Sequence, residues 1–217
     1  LDGLDHGRLI MVDTADRVVK EYLQRAYGGE SEAVSELSNH SGRSRMHTPI
    51  LKRVRVLNGE GQPTSVIQIG DPLVLEVTTD AGDRRYEHTD IMLHINNEYE
   101  QRVVKFTIGF QNDESVTLEG EQTFTCRWDD CILGKGMYTI DVSVVTDSTT
   151  NERGARTLDR VTRAINFEMT HGDIYGSGRR LKHAAAMIWP KAHWCYDAKA
   201  DAAVNIDDEP QSQEPAI

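Results

Sequence analysis

The chain has 217 residues, 38% of them hydrophobic and 27% charged, with a formal net charge of −11. That length and balance suit a globular protein with one sizeable core, and the negative charge argues against nucleic acid or anionic lipid as a partner. The most apolar windows, such as GMYTIDVSVV at 136–145, alternate and fall far short of the roughly 20 residues of a membrane-spanning helix.

Residues 1–26 hold a hairpin-like piece, LDHGRLIM, and then a predicted helix. Thr14 is placed to cap it, Asp16 suits the positive end of its dipole, and Ala15, Val18, Val19 and Tyr22 share one face. No basic segment leads into a continuous apolar run, as a signal peptide would require, so the expected location is the cytoplasm. Residues 27–49 are rich in Gly, Ser and charge and read as a linker whose middle could form one weak helical turn.

From Ile50 the period changes to two. ILKRVRVL leads through the turn NGEGQP to SVIQIGD and LVLEVTT, where Leu73, Leu75 and Val77 face one way. DIMLHINNE alternates Ile91, Leu93 and Ile95 against Met92, His94 and Asn96. RVVKFTI, EQTFTCRW and MYTIDVSVV behave alike, the last placing Tyr138, Ile140, Val142 and Val144 together, and RAINFEM at 163–169 closes the series. Such a run of strands without helical patterns predicts an all-β fold, an immunoglobulin-like antiparallel β-sandwich spanning 50–196. The stretch Ala184–Trp189 is apolar enough to be a final packed strand. From Asp197 onward six acids stand against Lys199 alone, so almost half of the net charge lies in an expected disordered tail, 197–217.

The opening residues resemble the end of an ABC-transporter nucleotide-binding domain, with Leu4, Gly7, Arg8, Leu9 and Ile10 in the final strand pair and Val18, Val19, Tyr22 and Leu23 after it. The segment Ile50–Met169 is similar to the C-terminal domain of polysaccharide-exporting ABC ATPases of the Wzt type, which secrete bacterial O-antigen. The order of parts carries this resemblance: VRVLNGEGQPTSVIQIGDPLVLEV, then LGKGMYTIDVSVV, then AINFEM. It implies that the chain is the C-terminal part of a longer transporter subunit, with 1–26 a short helical remnant of the ATPase. The parent would sit at the periphery of the inner membrane, joined to a membrane subunit through the missing ATPase domain. The resemblance further implies a sandwich that binds the exported glycan, often at a modified non-reducing end, and a homodimer formed by exchange of a C-terminal strand. The 181–196 segment is longer than the short ending this family leads one to expect. A module that only dimerises the ATPase or recruits a glycan-modifying enzyme is the alternative.

Catalysis finds little support. Gly134-Lys135-Gly136 lacks the remainder of a P-loop and sits in a turn feeding a strand. Asp129-Asp130 and Glu98/Glu100 could be read as the paired acids of a glycosidase, but they lie at strand ends, where adjacent side chains point apart. His183, His193 and Cys195 fit no zinc-ligand spacing, and Cys126, Cys131 and Cys195 form no CxxC pair, so no metal, cofactor or disulfide framework is expected.

Saccharide binding needs directional partners for hydroxyls and a ring to stack on the sugar. The strand positions opposite the core carry His94, Asn96, Arg127, Asp141 and Ser143, a set poor in Lys and Glu. These are the expected ligand residues, with Arg127 as the partner for any carboxylate or phosphate. Tyr99 and Tyr86 are expected as loop aromatics for stacking, and Trp128, on the Phe124 side of its strand, as core.

Overall fold

A computed structural model describes residues 2–5, 8–12, 33–112, 115–146, 156–178 and 186–191. The predicted N-terminal helix and the acidic tail lie outside these residues, as do His183, His193 and Cys195. The opening hairpin is present, β1 (Asp2–Asp5) pairing antiparallel with β2 (Arg8–Val12).

The remaining strands are β3 (Val34–Glu36), β4 (Leu51–Leu57), β5 (Val66–Gln68), β6 (Leu73–Asn96), β7 (Arg102–Thr107), β8 (Val116–Trp128), β9 (Gly136–Thr146) and β10 (Thr157–Thr170). The two strands expected at 73–79 and 90–98 are one 24-residue strand, β6. Its first half lies between β4 and β8, and its second half between β7 and β9. β6 therefore belongs to two layers. The first is β3-β4-β6-β8, and the second is β7-β6-β9-β10-β5, with β5 joining β10 in parallel. The pairing of β6 with β8 is irregular between Asp80 and Arg85, where Gly82 takes a φ of 58° that a residue with a Cβ adopts only under strain.

The period-two pattern then fixes the core. Leu73, Leu75 and Val77 from the first layer and Ile91, Leu93, Ile95, Ile140, Val142 and Val144 from the second are buried in one cluster. Phe106 of β7 meets Trp128 of β8 edge to face at 5.7 Å, and both are partly buried against the core cluster, linking the layers. Tyr138 stacks on its cross-strand neighbour Phe167 at 5.6 Å. Tyr86, expected in a loop, lies instead within β6, partly buried against the same cluster.

Where a linker was expected over 27–49, the described part, 33–49, packs onto the sandwich. β3 pairs with β4, and Leu37 is fully buried. Arg43 supplies the physical reason, because each of its five N–H donors has an acceptor. Nε and Nη2 grip the carboxylate of the wholly buried Asp159 at 3.0 Å each, and the remaining bonds go to the carbonyls of Leu37, Ser38 and Leu51. The Leu51 N–H also donates to Asp159, at 2.8 Å. A short helix not anticipated from the pattern, α1 (Ile108–Asn112), follows β7, and buried Asp90 accepts from the Thr107 hydroxyl and the Gly109 N–H at its start.

Candidate functional site

Alternation gives each layer an outward polar face, and the two faces differ. On the first layer, most polar groups are exposed or satisfied by neighbours, the buried Arg53 Nε being without a partner among the described residues. Arg55 pairs with Glu76 at 2.5 Å, and Arg127 pairs with Asp129 at 2.6 Å while donating to the Gly59 carbonyl at 3.0 Å. This is an ordinary solvated surface of modest ion pairs.

On the second layer the residues facing outward are polar yet buried. His94, Asn96, Asp141 and Ser143 are each less than 9% exposed. Register sets them side by side: His94 opposes Asp141 across β6 and β9 and Lys105 across β6 and β7, while Asn96 opposes Thr139 and Met92 opposes Ser143. Asp141 sits opposite an irregularity in β10 between Val161 and Ile165. There it accepts the backbone N–H of Arg163, whose φ is 50°, and pairs with the Arg160 guanidinium at 3.3 Å. An ion pair between Glu100 of the β6–β7 turn and Arg163 joins the two across the intervening β9.

His94 is the anomaly in this arrangement. Among the described residues, neither of its ring nitrogens has a hydrogen-bond partner, although buried polar atoms are nearly always paired. Burial pushes its pKa down to about 4, and Arg102, Lys105 and Arg160 push the same way against Asp141. The imidazole is therefore neutral at pH 7, with one N–H to donate and one nitrogen to accept. Three cations face one carboxylate around it, a local positive excess in a chain whose net charge is −11.

The structure thus brings together four of the six residues expected to bind ligand, His94, Asn96, Asp141 and Ser143. It places the other two elsewhere. Arg127 belongs to the first layer, on β8 opposite Val74. Tyr99, 57% exposed, lies on the β6–β7 turn. Sequence reading missed Arg102, Lys105 and Arg160. Lys105 was available as the outward position beside Phe106, but Arg160 was hidden because the irregularity in β10 breaks the alternation before RAINFEM begins. Of the carboxylates weighed for catalysis, Asp129 pairs with Arg127, Asp130 with Lys191 and Glu100 with Arg163. Lys135 stands just before β9 in a turn.

The fold is thus a two-layered all-β domain with one polar, recessed sheet face. Residues 43–180, more than half of the chain, match the Wzt C-terminal domain, and the chain belongs to that family. A crystal structure of the C-terminal domain of Wzt superposes with a TM-score of 0.54 at 9% identity, covering 77% of this chain and 90% of that one. A crystal structure of the CARDB domain of the PF1109 protein from Pyrococcus furiosus, in complex with di-metal ions, gives a TM-score of 0.31 at 17% identity, covering 54% of this chain and 87% of that one. Comparison with curated proteins gives no match. Membership of the family is consistent with a non-catalytic, carbohydrate-binding role in O-antigen export, as part of an ABC transporter with a polysaccharide substrate. Among the described residues no helix is long and apolar enough to cross a membrane.

Proposed function

We propose that this domain recognises the O-antigen polysaccharide, at its modified non-reducing end, by the outward face of the second layer, and so marks finished chains for export. The observation that carries the reading is the buried His94 with both ring nitrogens unpartnered, set among Arg102, Lys105 and Arg160. A ligand hydroxyl or acid oxygen seated there would satisfy the imidazole, and the surrounding cations favour an acidic group on the saccharide. Asn96, Ser143 and Asp141 supply the neighbouring directional groups. The domain in this reading works without chemistry of its own, as a homodimer, on an ATPase that docks at the inner membrane.

Calorimetric titration with the producer's own purified O-polysaccharide tests the proposal. Saturable binding is expected, weakened about tenfold, or ~1.4 kcal/mol, by Arg160→Ala and left unchanged by Arg127→Ala on the other layer. A stable dimer that binds no polysaccharide would replace this reading with that of an interaction module.

A further inference from the structure

Two layers that share one strand leave four edges, and natural sheets blunt exposed edges with short strands, charges or bulges. Here β3 and β5 have three residues each, and β7 has six, with Arg102 and Lys105 along it. β8 has 13 residues and, among the described residues, pairs with β6 alone. Over 121–128 its register against β6 is unbroken, and the segment EQTFTCRW contains neither Pro nor Lys. The first break comes at Gly120, whose φ is 58°. One side of this regular run therefore carries backbone N–H and C=O groups that β6 leaves unused.

The side chains of the run define what fits it. Glu121, Thr123, Thr125 and Arg127 are exposed on the outward face, while Gln122, Phe124 and Cys126 alternate with them and are half-buried. Reversed, the outward set Glu-Thr-Thr-Arg becomes Arg-Thr-Thr-Glu, its own complement in charge. Two copies laid antiparallel with Phe124 opposite Phe124 bring each Glu121 opposite the second copy's Arg127, and each Thr123 opposite Thr125. The same register keeps all inward side chains on one side, as a period of two requires. Centring on Thr123 would instead oppose Arg127 to Glu119, across the break at Gly120, and Glu119 is already paired with Arg85 at 3.0 Å. Glu121 makes no ion pair among the described residues. Phe124 also lines an apolar crevice between the layers, with Ile91, Phe106 and Ile108, and α1 beside it leaves Phe110 70% exposed. A second copy across the edge covers apolar ground that a monomer leaves to water.

We propose that the β8 edge is the dimer interface of this domain: two copies join their first layers by antiparallel pairing of residues 121–127 about a two-fold axis at Phe124, with reciprocal Glu121–Arg127 pairs. The inference rests on the homodimer of the reading above and deepens it by naming the surface. No C-terminal strand is exchanged in this arrangement. The contact belongs to the first layer, so the recessed face of the second stays open to a saccharide in both copies.

Sedimentation equilibrium of the whole chain reads the dimer affinity. Glu121→Arg sets Arg opposite Arg127 at two places in the dimer and should weaken association about tenfold, as should Arg127→Glu. The double variant, with the two charges exchanged, should restore it to within about threefold of the native value. Hydrogen exchange should show protection at 121–127 that rises with protein concentration. Thermal midpoints near that of the native chain separate lost association from lost fold. A dimer indifferent to Glu121→Arg, or one that the exchanged charges do not restore, would overturn the pairing while the homodimer stands. A chain monomeric at every concentration would overturn both and leave the edge to a strand of another protein. Polysaccharide binding per protomer is expected to survive all three variants, so the recognition face is judged by the calorimetric titration alone.

Discussion

Asp159 has no access to solvent, and among the described residues its only ion-pair partner is the guanidinium of Arg43, itself 8% exposed at the side chain. Removing one partner of such a pair strands a charge inside the sandwich, which costs far more than the pair contributes as a whole. Arg43→Ala is expected to destabilise the domain by about 3–5 kcal/mol in urea unfolding, and a loss below about 1 kcal/mol would contradict the geometry. His94 makes a second prediction at this scale. Its folded pKa of about 4 lies below the ordinary 6.5, so the unfolded chain binds the proton more readily. Stability from this residue is complete above pH 6.5 and is lost as the pH falls towards 4. His94→Gln should flatten the pH dependence of the unfolding free energy across that window, and an unchanged slope would show that the imidazole is not held neutral. Burial likewise pushes the Cys126 and Cys131 thiols up to about 11. Mass-mapped alkylation at pH 8 should find both protected in the native chain, with only about one thiol in a thousand ionised. Modification at the rate of the unfolded chain would count against their burial.

The segment 186–191 lies along the chain just before β9 as a short antiparallel element. Leu133 bridges Ile188, the Gly134 N–H donates to Met187 at 2.8 Å, and the Trp189 N–H donates to Ile132 at 2.8 Å. A Cβ on Gly134 would stand 2.2 Å from the Ala186 carbonyl oxygen, a contact that backbone cannot yield without moving. Gly134→Ala is expected to release this element, lowering stability by about 1–3 kcal/mol and removing amide-exchange protection at residue 134 itself and at Trp189. Retained protection at Trp189 would show that the element tolerates the change. What was legible in the sequence at this scale follows the same physics. Strands with unbroken alternation, such as 137–145, were readable because one face must enter the core. The stretch DAGDRRYEH was not, since residues 82–88 of β6 are mostly exposed and polar, and only Arg85 and Tyr86 among them pair with β8. Thr157–Thr162 was missed because the irregular pairing after Val161 shifts the alternation, and 33–49 because a buried Arg reads as a solvated one until Asp159, remote in the chain, is brought to it.

For the molecule as a whole, the sandwich carries two polar faces that composition cannot tell apart. His94, Asn96, Asp141 and Ser143 were recognisable from alternation, but their burial depends on how β7, β6, β9 and β10 lie together, and Arg127 was misassigned to them because a period of two does not say which layer a strand joins. In the proposed function, recognition belongs to the recessed face and not to the exposed one. Isothermal titration of the producer's purified O-polysaccharide into matched variants measures that difference. Lys105→Ala combined with Arg160→Ala should weaken binding by about a hundredfold if each contributes about tenfold and the sites are independent, whereas Arg55→Ala combined with Arg127→Ala should leave it unchanged. Equal losses from the two pairs, or binding that neither disturbs, would contradict the assignment.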